Sequence, residues 1–334
     1  MRFWLWVCIL LAGAGFAPAQ TARTEPSVGL APAETPVQTL RRYVLEAEKY
    51  WQLNLPKGER FDASGLFRRT NGDLLTVNDR GAGVYKIKFL EGEDAADLIR
   101  IRDCFTAKQL APFAAEKIDR YDCEGVCEDA TGRIYICEEA NRWILRWDPK
   151  TKKVERLGID FSSVKKYFDP ADRNASFEGV AVGGGKLFIA NERQMGRIIV
   201  VDLATLGIVD HFVARPPGSL ALDIHYSDLS WHDGALYALL REHHLILKID
   251  PATKKVLAQY DFEGMEKGRE VVYRTRFFGV GVMEGLAVDD DFFWLCTDNN
   301  GLPRKRFPQD TRPTLFKCRR PDRIVVEKPP IRAR

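Results

Sequence analysis

Apolar residues alternate with polar residues in short runs from about residue 58 onward, and turn-forming residues separate these runs. A period of two predicts β-strands, because successive side chains of a strand point to opposite faces. Five pairs of runs recur, and each pair opens on a triplet with a small or acidic first residue. The triplets begin at Ser64, Glu124, Glu178, Ser227 and Glu284. Strand pairs that recur at a nearly constant interval are typical of a β-propeller.

Glycine-containing turns separate the first two strands of four repeats. They are Asn71-Gly72, Thr131-Gly132, Gly183-Gly184-Gly185 and Asp233-Gly234. Glycine accepts the positive φ of tight hairpins, so these segments predict hairpin turns. A third run follows in each repeat, and turns that begin at Asp148, Asp202 and Asp250 lead into fourth strands.

Four strands in each of five repeats predict an all-β, five-bladed β-propeller over residues 58–330. A six-bladed propeller stays open if residues 104–120 or 253–280 contain a degenerate blade. The segment that starts at Arg323 is a candidate for the last outer strand.

The N-terminus has a different pattern. Residues 1–19 contain Arg2, an apolar run and the small-residue site Ala17-Pro18-Ala19, which together are typical of a secretory signal peptide. The apolar run is short for a bilayer span, so we expect an exported protein, secreted or periplasmic, without a transmembrane segment in the mature chain.

Residues 20–57 are expected to form a flexible tether followed by one short helix. The tether is rich in Thr, Pro, Ala and Glu and lacks periodicity. The helix is predicted over residues 38–52, where Leu40, Tyr43, Val44 and Ala47 recur at helical spacing.

Composition narrows the class of protein. A chain of 334 residues that is 45% hydrophobic can bury a large core. The net charge of +3 is spread evenly and forms no basic stripe, so nucleic acid is not an expected partner. We expect a monomer that binds a small ligand.

Six cysteines follow the predicted signal peptide: Cys104, Cys123, Cys127, Cys137, Cys296 and Cys318. An even number in an oxidising compartment permits disulfides, and the pairing is not defined by the sequence. Cys137 and Cys296 occupy a strand position that is apolar in the other repeats, so buried core thiols are the alternative.

Polar residues recur in register at two positions of the hairpins. The first-strand column contains Ser64, Glu124, Glu178, Ser227 and Glu284, and the second-strand column contains Asp79, Glu139, Glu192, Arg241 and Asp298. The start of one strand and the end of its antiparallel neighbour lie at the same edge. Both columns are therefore expected to face one end of a central funnel.

Carboxylates crowded at a partly buried rim need a cation or hydrogen bonds to remain charged. Calcium prefers carboxylate and amide oxygens, so one hypothesis is a calcium ion in the funnel. The alternative is architectural, with each Glu accepting hydrogen bonds from backbone amides of the next blade. Arg193 and Arg241 lie beside these carboxylates and either bind an anion or neutralise their neighbours.

Five pairs of segments recur in a fixed order: ASGL with LLTVNDR, EGVCED with the run that follows it, FEGVAV with LFIANER, YSDLSW with LYALLRE, and MEGLAV with WLCTDNNG. The sequences and order of these segments resemble the phytase-like propeller family, described as "esterase-like activity of phytase". The resemblance spans about residues 60 to 318. The family is similar to calcium-containing lactonase and gluconolactonase propellers, in which a Glu at the start of a blade binds the metal. This resemblance implies metal binding by Glu124, Glu178 and Glu284, whereas Ser64 and Ser227 depart from it.

The leading functional hypothesis is a calcium-assisted hydrolase of small anionic esters, phosphoesters first. Glu124, Glu178, Glu284, Asp79 and Asp298 are the candidate metal ligands, and Glu192, Arg193 and Arg241 are the candidate catalytic residues. The alternative is a non-catalytic propeller scaffold that binds a ligand or a protein.

Overall fold

Antiparallel strands make up most of the fold, as the period-two pattern predicts. This computed structural model describes residues 40–117, 120–193, 196–219, 224–276 and 281–323. The strands are β1 (Arg41–Val44), β2 (Ala47–Asn54), β3 (Ala63–Arg68), β4 (Leu74–Asn78), β5 (Gly81–Phe89), β6 (Ala95–Arg100), β7 (Cys123–Glu128), β8 (Ile134–Glu138), β9 (Trp143–Asp148), β10 (Lys153–Arg156), β11 (Phe177–Gly183), β12 (Lys186–Asn191), β13 (Arg197–Asp202), β14 (Ile208–Phe212), β15 (Asp228–His232), β16 (Ala235–Leu240), β17 (Leu245–Ile249), β18 (Val256–Asp261), β19 (Met283–Val288), β20 (Phe292–Thr297) and β21 (Thr314–Arg319). The α-helices are α1 (Ala107–Leu110) and α2 (Glu263–Glu266), and 3₁₀ turns cover Pro56–Gly58, Ala111–Phe113, Ser162–Tyr167 and Pro321–Arg323.

The strands form consecutive antiparallel groups, which we call repeats 1 to 5. Repeats 1 to 4 consist of β3–β6, β7–β10, β11–β14 and β15–β18, and repeat 5 consists of β19–β21 with β2 as its outermost strand. A parallel pairing of β2 with β6 joins repeats 5 and 1 into one eight-stranded sheet. The first strands, β3, β7, β11, β15 and β19, contact one another in cyclic order. This all-β arrangement is consistent with a β-propeller.

The predicted turns are confirmed. Gly72, Gly132 and Gly234 have φ values of 92°, 82° and 72°, which suit the tight hairpins between first and second strands. At the turns into the fourth strands, the carboxylates of Asp148, Asp202 and Asp250 accept backbone hydrogen bonds from the amides two residues later.

The helix predicted over residues 38–52 is wrong, because this segment forms β1 and β2. β1 pairs in parallel with β18 of repeat 4, while β2 pairs with β21 and β6. Open strand edges offer backbone hydrogen bonds that outweigh a weak helical pattern. Val44, which belongs to the predicted apolar stripe, is 67% exposed.

β2 also replaces the strand expected from the C-terminal segment. It lies beside β21, at the outer position for which the segment from Arg323 was a candidate. Residues 324–334 lie outside the described residues, as do the predicted signal peptide, residues 1–19, and the tether up to residue 37. In residues 104–117, the described part of one segment considered for a sixth blade, α1 and a 3₁₀ turn replace strands.

The hydrophobic core lies between neighbouring repeats. Leu75 and Val77 of repeat 1, for example, share one buried cluster with Val126, Ile134 and Ile136 of repeat 2. All six cysteines that follow residue 100 are buried free thiols, so the structure favours the core alternative over disulfides. Over the described ranges, no helix is both long and apolar enough to cross a bilayer.

The first strands approach one another closely at their glycines. A Cβ atom on Gly125 would lie 2.8 Å from the Val180 nitrogen and 2.9 Å from the Gly179 Cα atom. Repeat 4 has Asp228 at the equivalent position, where it approaches Gly179. The innermost strands can therefore pack this tightly only because most repeats lack a side chain at this position.

Asp228 uses its side chain to connect three repeats. Its Oδ2 atom accepts hydrogen bonds from the amides of Leu66 (3.2 Å) in repeat 1 and Leu286 (2.7 Å) in repeat 5, and Oδ1 accepts one from Leu229 (2.8 Å). Its exposed fraction is 0%. Asp228 thus satisfies backbone donors of first strands that are far apart in the sequence.

Candidate functional site

All eight residues proposed from the sequence line one cavity of about 320 Å³. We call it the carboxylate cavity. Its carboxyl groups belong to Asp79, Asp122, Glu124, Glu139, Glu178, Glu192, Glu284 and Asp298; its guanidinium groups belong to Arg60, Arg80, Arg120, Arg193, Arg241 and Arg276; Asn174 and Asn300 complete it. When all these groups are ionised, negative charges exceed positive charges by two, which is the charge that one divalent cation would balance.

β-Bulges in the first strands orient Glu124, Glu178 and Glu284 toward the carboxylate cavity. The pairing register shifts between Cys123 and Gly125, and the residue between them, Glu124, is the extra residue of its strand. The same shift occurs around Glu178 and Glu284. A bulge adds a residue without disturbing the rest of the ladder and redirects its side chain. This explains how each Glu faces the cavity while its apolar neighbours stay in the core.

The second-strand column meets the first at the same end, as predicted. In repeats 1, 2, 3 and 5, the backbone amide at the end of the hairpin donates to the carbonyl of a residue just before the first-strand column. These bonds are Asp79 to Asp62 (3.3 Å), Glu139 to Asp122 (2.8 Å), Glu192 to Ser176 (2.7 Å) and Asp298 to Val282 (2.8 Å). The two columns are therefore fixed to each other by main-chain hydrogen bonds.

Two groups of three carboxylates share Glu139. One contains Asp122, Glu124 and Glu139, and the other contains Glu139, Glu178 and Glu192. Within each group, one oxygen from every residue lies within 4.8 Å of the others. Calcium–oxygen distances are about 2.3–2.6 Å. Two ligand oxygens on opposite sides of one calcium ion are therefore separated by about twice that distance, which is close to the observed limit of 4.8 Å. The donor type and spacing therefore fit a calcium ion.

The structure does not bring all five predicted metal ligands together. Glu124 and Glu178 belong to the two groups, whereas Asp79, Glu284 and Asp298 line other parts of the cavity. Asp122 was missed in the sequence. Its signal was the spacing Asp-x-x-Gly, which occurs in Asp62-Ala-Ser-Gly65 and again in Asp122-Cys-Glu-Gly125.

Burial and mutual repulsion make these carboxyl groups hard to ionise without a cation. Burial, and then the charges of neighbouring carboxylates, raise the pKa of Glu124 and Glu178 well above the usual value. Burial is also the main reason that the pKa of Glu139 is raised to about 8. A bound cation would reverse these shifts, because it favours the ionised form of each ligand.

Asp79 and Asp298 lie near the buried Asp62. Burial, followed by the charge of Asp62, raises the pKa of Asp79 to about 8 and that of Asp298 to about 7. Arg60 binds Asp62 through Nε at 2.6 Å. Two carboxyl groups with pKa values close to neutrality are suited to exchange protons near pH 7.

Arg241 is surrounded by carboxylates of three repeats. It forms ion pairs with Glu192 of repeat 3 (2.9 Å), Glu242 of its own repeat (3.3 Å) and Glu284 of repeat 5. Arg193 also pairs with Glu192. These contacts favour the neutralising interpretation for Arg241. They also show that Glu192 is held by two guanidinium groups.

Other arginines lie nearer to solvent. Arg80, Arg120 and Arg276 line the same cavity and are exposed, whereas Glu178 and Glu284 are buried and Glu124 is half-buried. The cavity therefore has an acidic floor and a basic rim. Sequence reasoning missed Arg120 and Arg276, which lie in connecting segments outside the repeating columns.

The histidines are not part of the carboxylate cavity. His244 contacts Glu266 at 3.0 Å and packs edge-on against Phe262. His225 pairs with Glu242 at 3.3 Å and lines a neighbouring lobe.

A family comparison agrees with these observations. The Phytase-like model, described as esterase-like activity of phytase, matches residues 62–301. The chain belongs to the phytase-like family. The match includes the residues of repeats 1 to 4 and the first hairpin of repeat 5, so the phytase-like pattern covers all eight site residues predicted from the sequence. A search of curated protein sequences found no match.

Solved structures resemble the fold of this phytase-like chain. Glutaminyl cyclase from Myxococcus xanthus superimposes with a TM-score of 0.56 at 14% identity, over 84% of this chain and 97% of that chain. Virginiamycin B lyase from Staphylococcus aureus gives 0.39 at 13% identity, over 80% and 73%. A luciferin-regenerating enzyme gives 0.44 at 11% identity, over 78% and 92%. The first likeness supports the fold alone.

Proposed function

We propose that this protein is an exported, five-bladed propeller that hydrolyses small anionic esters, phosphoesters first, with the help of calcium. The observation that carries the proposal is the pair of carboxylate groups that share Glu139 beneath a rim of arginines. An acidic floor can bind a cation, and a cation together with basic side chains can bind an anionic ester.

Asp122, Glu124, Glu139, Glu178 and Glu192 would hold calcium. Bound there, calcium would draw electron density from an ester oxygen and make a nearby water more acidic. The shared Glu139 has one oxygen oriented by the Ser176 amide at 2.9 Å. This hydrogen bond fixes the carboxylate before a ligand arrives, which reduces the entropy lost on binding.

The remaining side chains divide into positioning and acid–base roles. Arg241 positions Glu192 and Glu284 through its ion pairs, and the exposed Arg80, Arg120 and Arg276 would contact the anionic group. Asp79 and Asp298 would transfer protons, since their pKa values lie near neutrality.

Hydrolysis assays test the proposal. Purified protein is incubated with an aryl phosphate and an aryl carboxylate ester, with calcium or with a chelator. We expect turnover of the phosphate that the chelator removes and calcium restores. Glu178→Gln should lower this activity at least tenfold, whereas Glu91→Gln, at an exposed position, should not change it. Absence of turnover with calcium would favour the non-catalytic scaffold.

Export and oligomeric state belong to the same proposal and need separate measurements. N-terminal sequencing of protein from cell fractions should show cleavage near residue 19 in the exported fraction. Size-exclusion chromatography with light scattering should give the mass of one chain.

A further inference from the structure

A second lobe opens from the carboxylate cavity. It has a volume of about 410 Å³ and shares Arg193, Arg241, Arg276 and Glu284 with the carboxylate cavity, among other residues. We call it the side lobe. The residues that line only the side lobe include the exposed Arg274 and also Val282, Leu302, His225, Glu242 and Asn299. Apolar side chains thus occur in the side lobe, unlike in the carboxylate cavity.

Three side chains of the side lobe have buried acceptor atoms that no donor of the described residues reaches. These atoms are Oε2 of Glu242, Oε2 of Glu284 and Oδ1 of Asn299. Glu284 and Asn299 are only 5% and 1% exposed. Buried polar atoms are nearly always hydrogen-bonded, so three unpaired acceptors in one lobe indicate that donors come from a ligand or from solvent.

The orientation of Asn299 is determined by its other hydrogen bonds. Its Nδ2 group donates to the carbonyls of Leu302 (2.6 Å) and Thr311 (2.8 Å). Exchanging the amide oxygen and nitrogen would place an acceptor against two carbonyls, so the oxygen must occupy the other position. Asn299 therefore presents an acceptor, and not a donor, for a further partner.

Glu242 is an ionised acceptor. Burial opposes ionisation, but the hydrogen bond with His225 and the charge of Arg241 dominate and lower the pKa of Glu242 to about 2. Both partners contact Oε1, at 3.3 Å each, which leaves Oε2 as the unpaired oxygen. A negatively charged acceptor binds hydroxyl donors strongly and repels phosphate oxygens, which cannot donate when ionised.

We infer that the side lobe binds the hydroxyl-bearing alcohol part of the substrate, a polyol or sugar that carries a single phosphate. The inference rests on the proposed function, which places the phosphate itself in the carboxylate cavity. The hydroxyl groups would donate to Glu242, Glu284 and Asn299, while Val282 and Leu302 contact the carbon skeleton. A fully phosphorylated ring lacks these donors, so the acceptor oxygens of Glu242, Glu284 and Asn299 would stay unpaired.

Calorimetric titration of the full chain in calcium tests this inference with three ligands that have the same six-carbon ring. They are inositol 1-phosphate, cyclohexyl phosphate and inositol hexakisphosphate. The first two differ only in hydroxyl groups. One hydrogen bond to a charged group contributes about 1.5–3 kcal/mol, so inositol 1-phosphate should bind at least about tenfold more tightly than cyclohexyl phosphate. Inositol hexakisphosphate should bind more weakly than inositol 1-phosphate.

A variant of Glu242 tests whether the preference for inositol 1-phosphate over cyclohexyl phosphate arises in the side lobe. Glu242→Gln keeps the size of the side chain but removes the charged acceptor, so it should lower the affinity for inositol 1-phosphate about tenfold and leave that for cyclohexyl phosphate unchanged. Equal affinities for the two monophosphates, or tightest binding of the hexakisphosphate, would overturn the inference and leave the proposed function standing. If none of the three anions binds, both fail.

Discussion

Glu139 is the residue on which the candidate cation site depends most. It belongs to both carboxylate groups, is 1% exposed and receives a hydrogen bond from the Ser176 amide. Glu178 belongs to only one group. Loss of one carboxylate should therefore affect calcium binding to different extents at these two positions.

We predict a graded loss of stabilisation by calcium. A cation that binds only the folded protein adds about 2.7 kcal/mol at a hundredfold excess over its dissociation constant. Differential scanning fluorimetry should show a melting temperature several degrees higher in calcium than in chelator for the natural chain. Glu178→Gln should reduce this difference and Glu139→Gln should abolish it, while the exposed Glu91→Gln should retain it. If chelator and calcium give the same melting temperature for the natural chain, the glutamates have the architectural role.

The pH dependence of the calcium-free protein provides an independent measurement. The folded-state pKa values of Asp79 and Glu139 are about 8, and that of Asp298 is about 7, whereas unfolded carboxyl groups have values of about 4. Between these values the folded state binds more protons than the unfolded state, so stability falls as pH rises. In chelator, the free energy of unfolding measured with urea should decrease from about pH 5 to about pH 8. Calcium should flatten this slope, and a rise in chelator would contradict the assignment.

At the residue scale, the sequence predicted the two columns of polar residues but not every residue that lines the cavity. Glu124, Glu178 and Glu192 were predicted because they repeat in register. Asp122 has its counterpart in only one other repeat, and Arg120 and Arg276 lie outside both columns. Ion pairs such as Arg241 with Glu284 join residues 43 positions apart in different repeats, and no local pattern encodes them.

At the scale of single elements, the β-bulge is the feature that local pattern predicts least well. Strict alternation would place Glu124 on the face opposite to Cys123 and Gly125 without an insertion. The extra residue appears only when the register of β7 against β8 is known. The prediction of an N-terminal helix was wrong for a related reason. β1 and β2 form strands because they pair with β18, β21 and β6, which are distant in the sequence.

The glycine after each bulge makes close contact between elements possible. In Gly125→Ala the new Cβ would lie 2.8 Å from both the Val180 nitrogen and the Cys137 sulfur, and backbone atoms cannot move aside easily. We predict a loss of about 2–4 kcal/mol in the free energy of unfolding, by analogy with overpacked cores. Gly158→Ala is the matched control, since nothing lies within 4 Å of its Cβ position. A change below about 0.5 kcal/mol at Gly125 would show that the first strands can separate.

At the scale of the whole molecule, the first and last repeats are joined both by outer strands and by Asp228 among the first strands. β2 lies between β21 and β6 and thereby joins the last repeat to the first. Asp228 connects the same two repeats through the first strands, because it accepts hydrogen bonds from the amides of Leu66 and Leu286. Repeat 4 has Asp at the position where the other four repeats have Gly. The role of this Asp depends on the cyclic order of the first strands, which no local pattern encodes.

Asp228 should therefore contribute to the stability of the whole molecule more than any surface carboxylate does. Asp228→Ala removes the acceptor of three backbone amides and leaves those of Leu66 and Leu286 buried without a partner, which should cost about 3–5 kcal/mol. Asp228→Asn retains one acceptor oxygen and should lose less. Asp94→Ala, whose carboxylate is 76% exposed, should change stability by less than about 0.5 kcal/mol. Urea unfolding followed by tryptophan fluorescence measures all three variants. If Asp228→Ala unfolds at the same urea concentration as Asp94→Ala, the hydrogen bonds at the centre do not hold the repeats together.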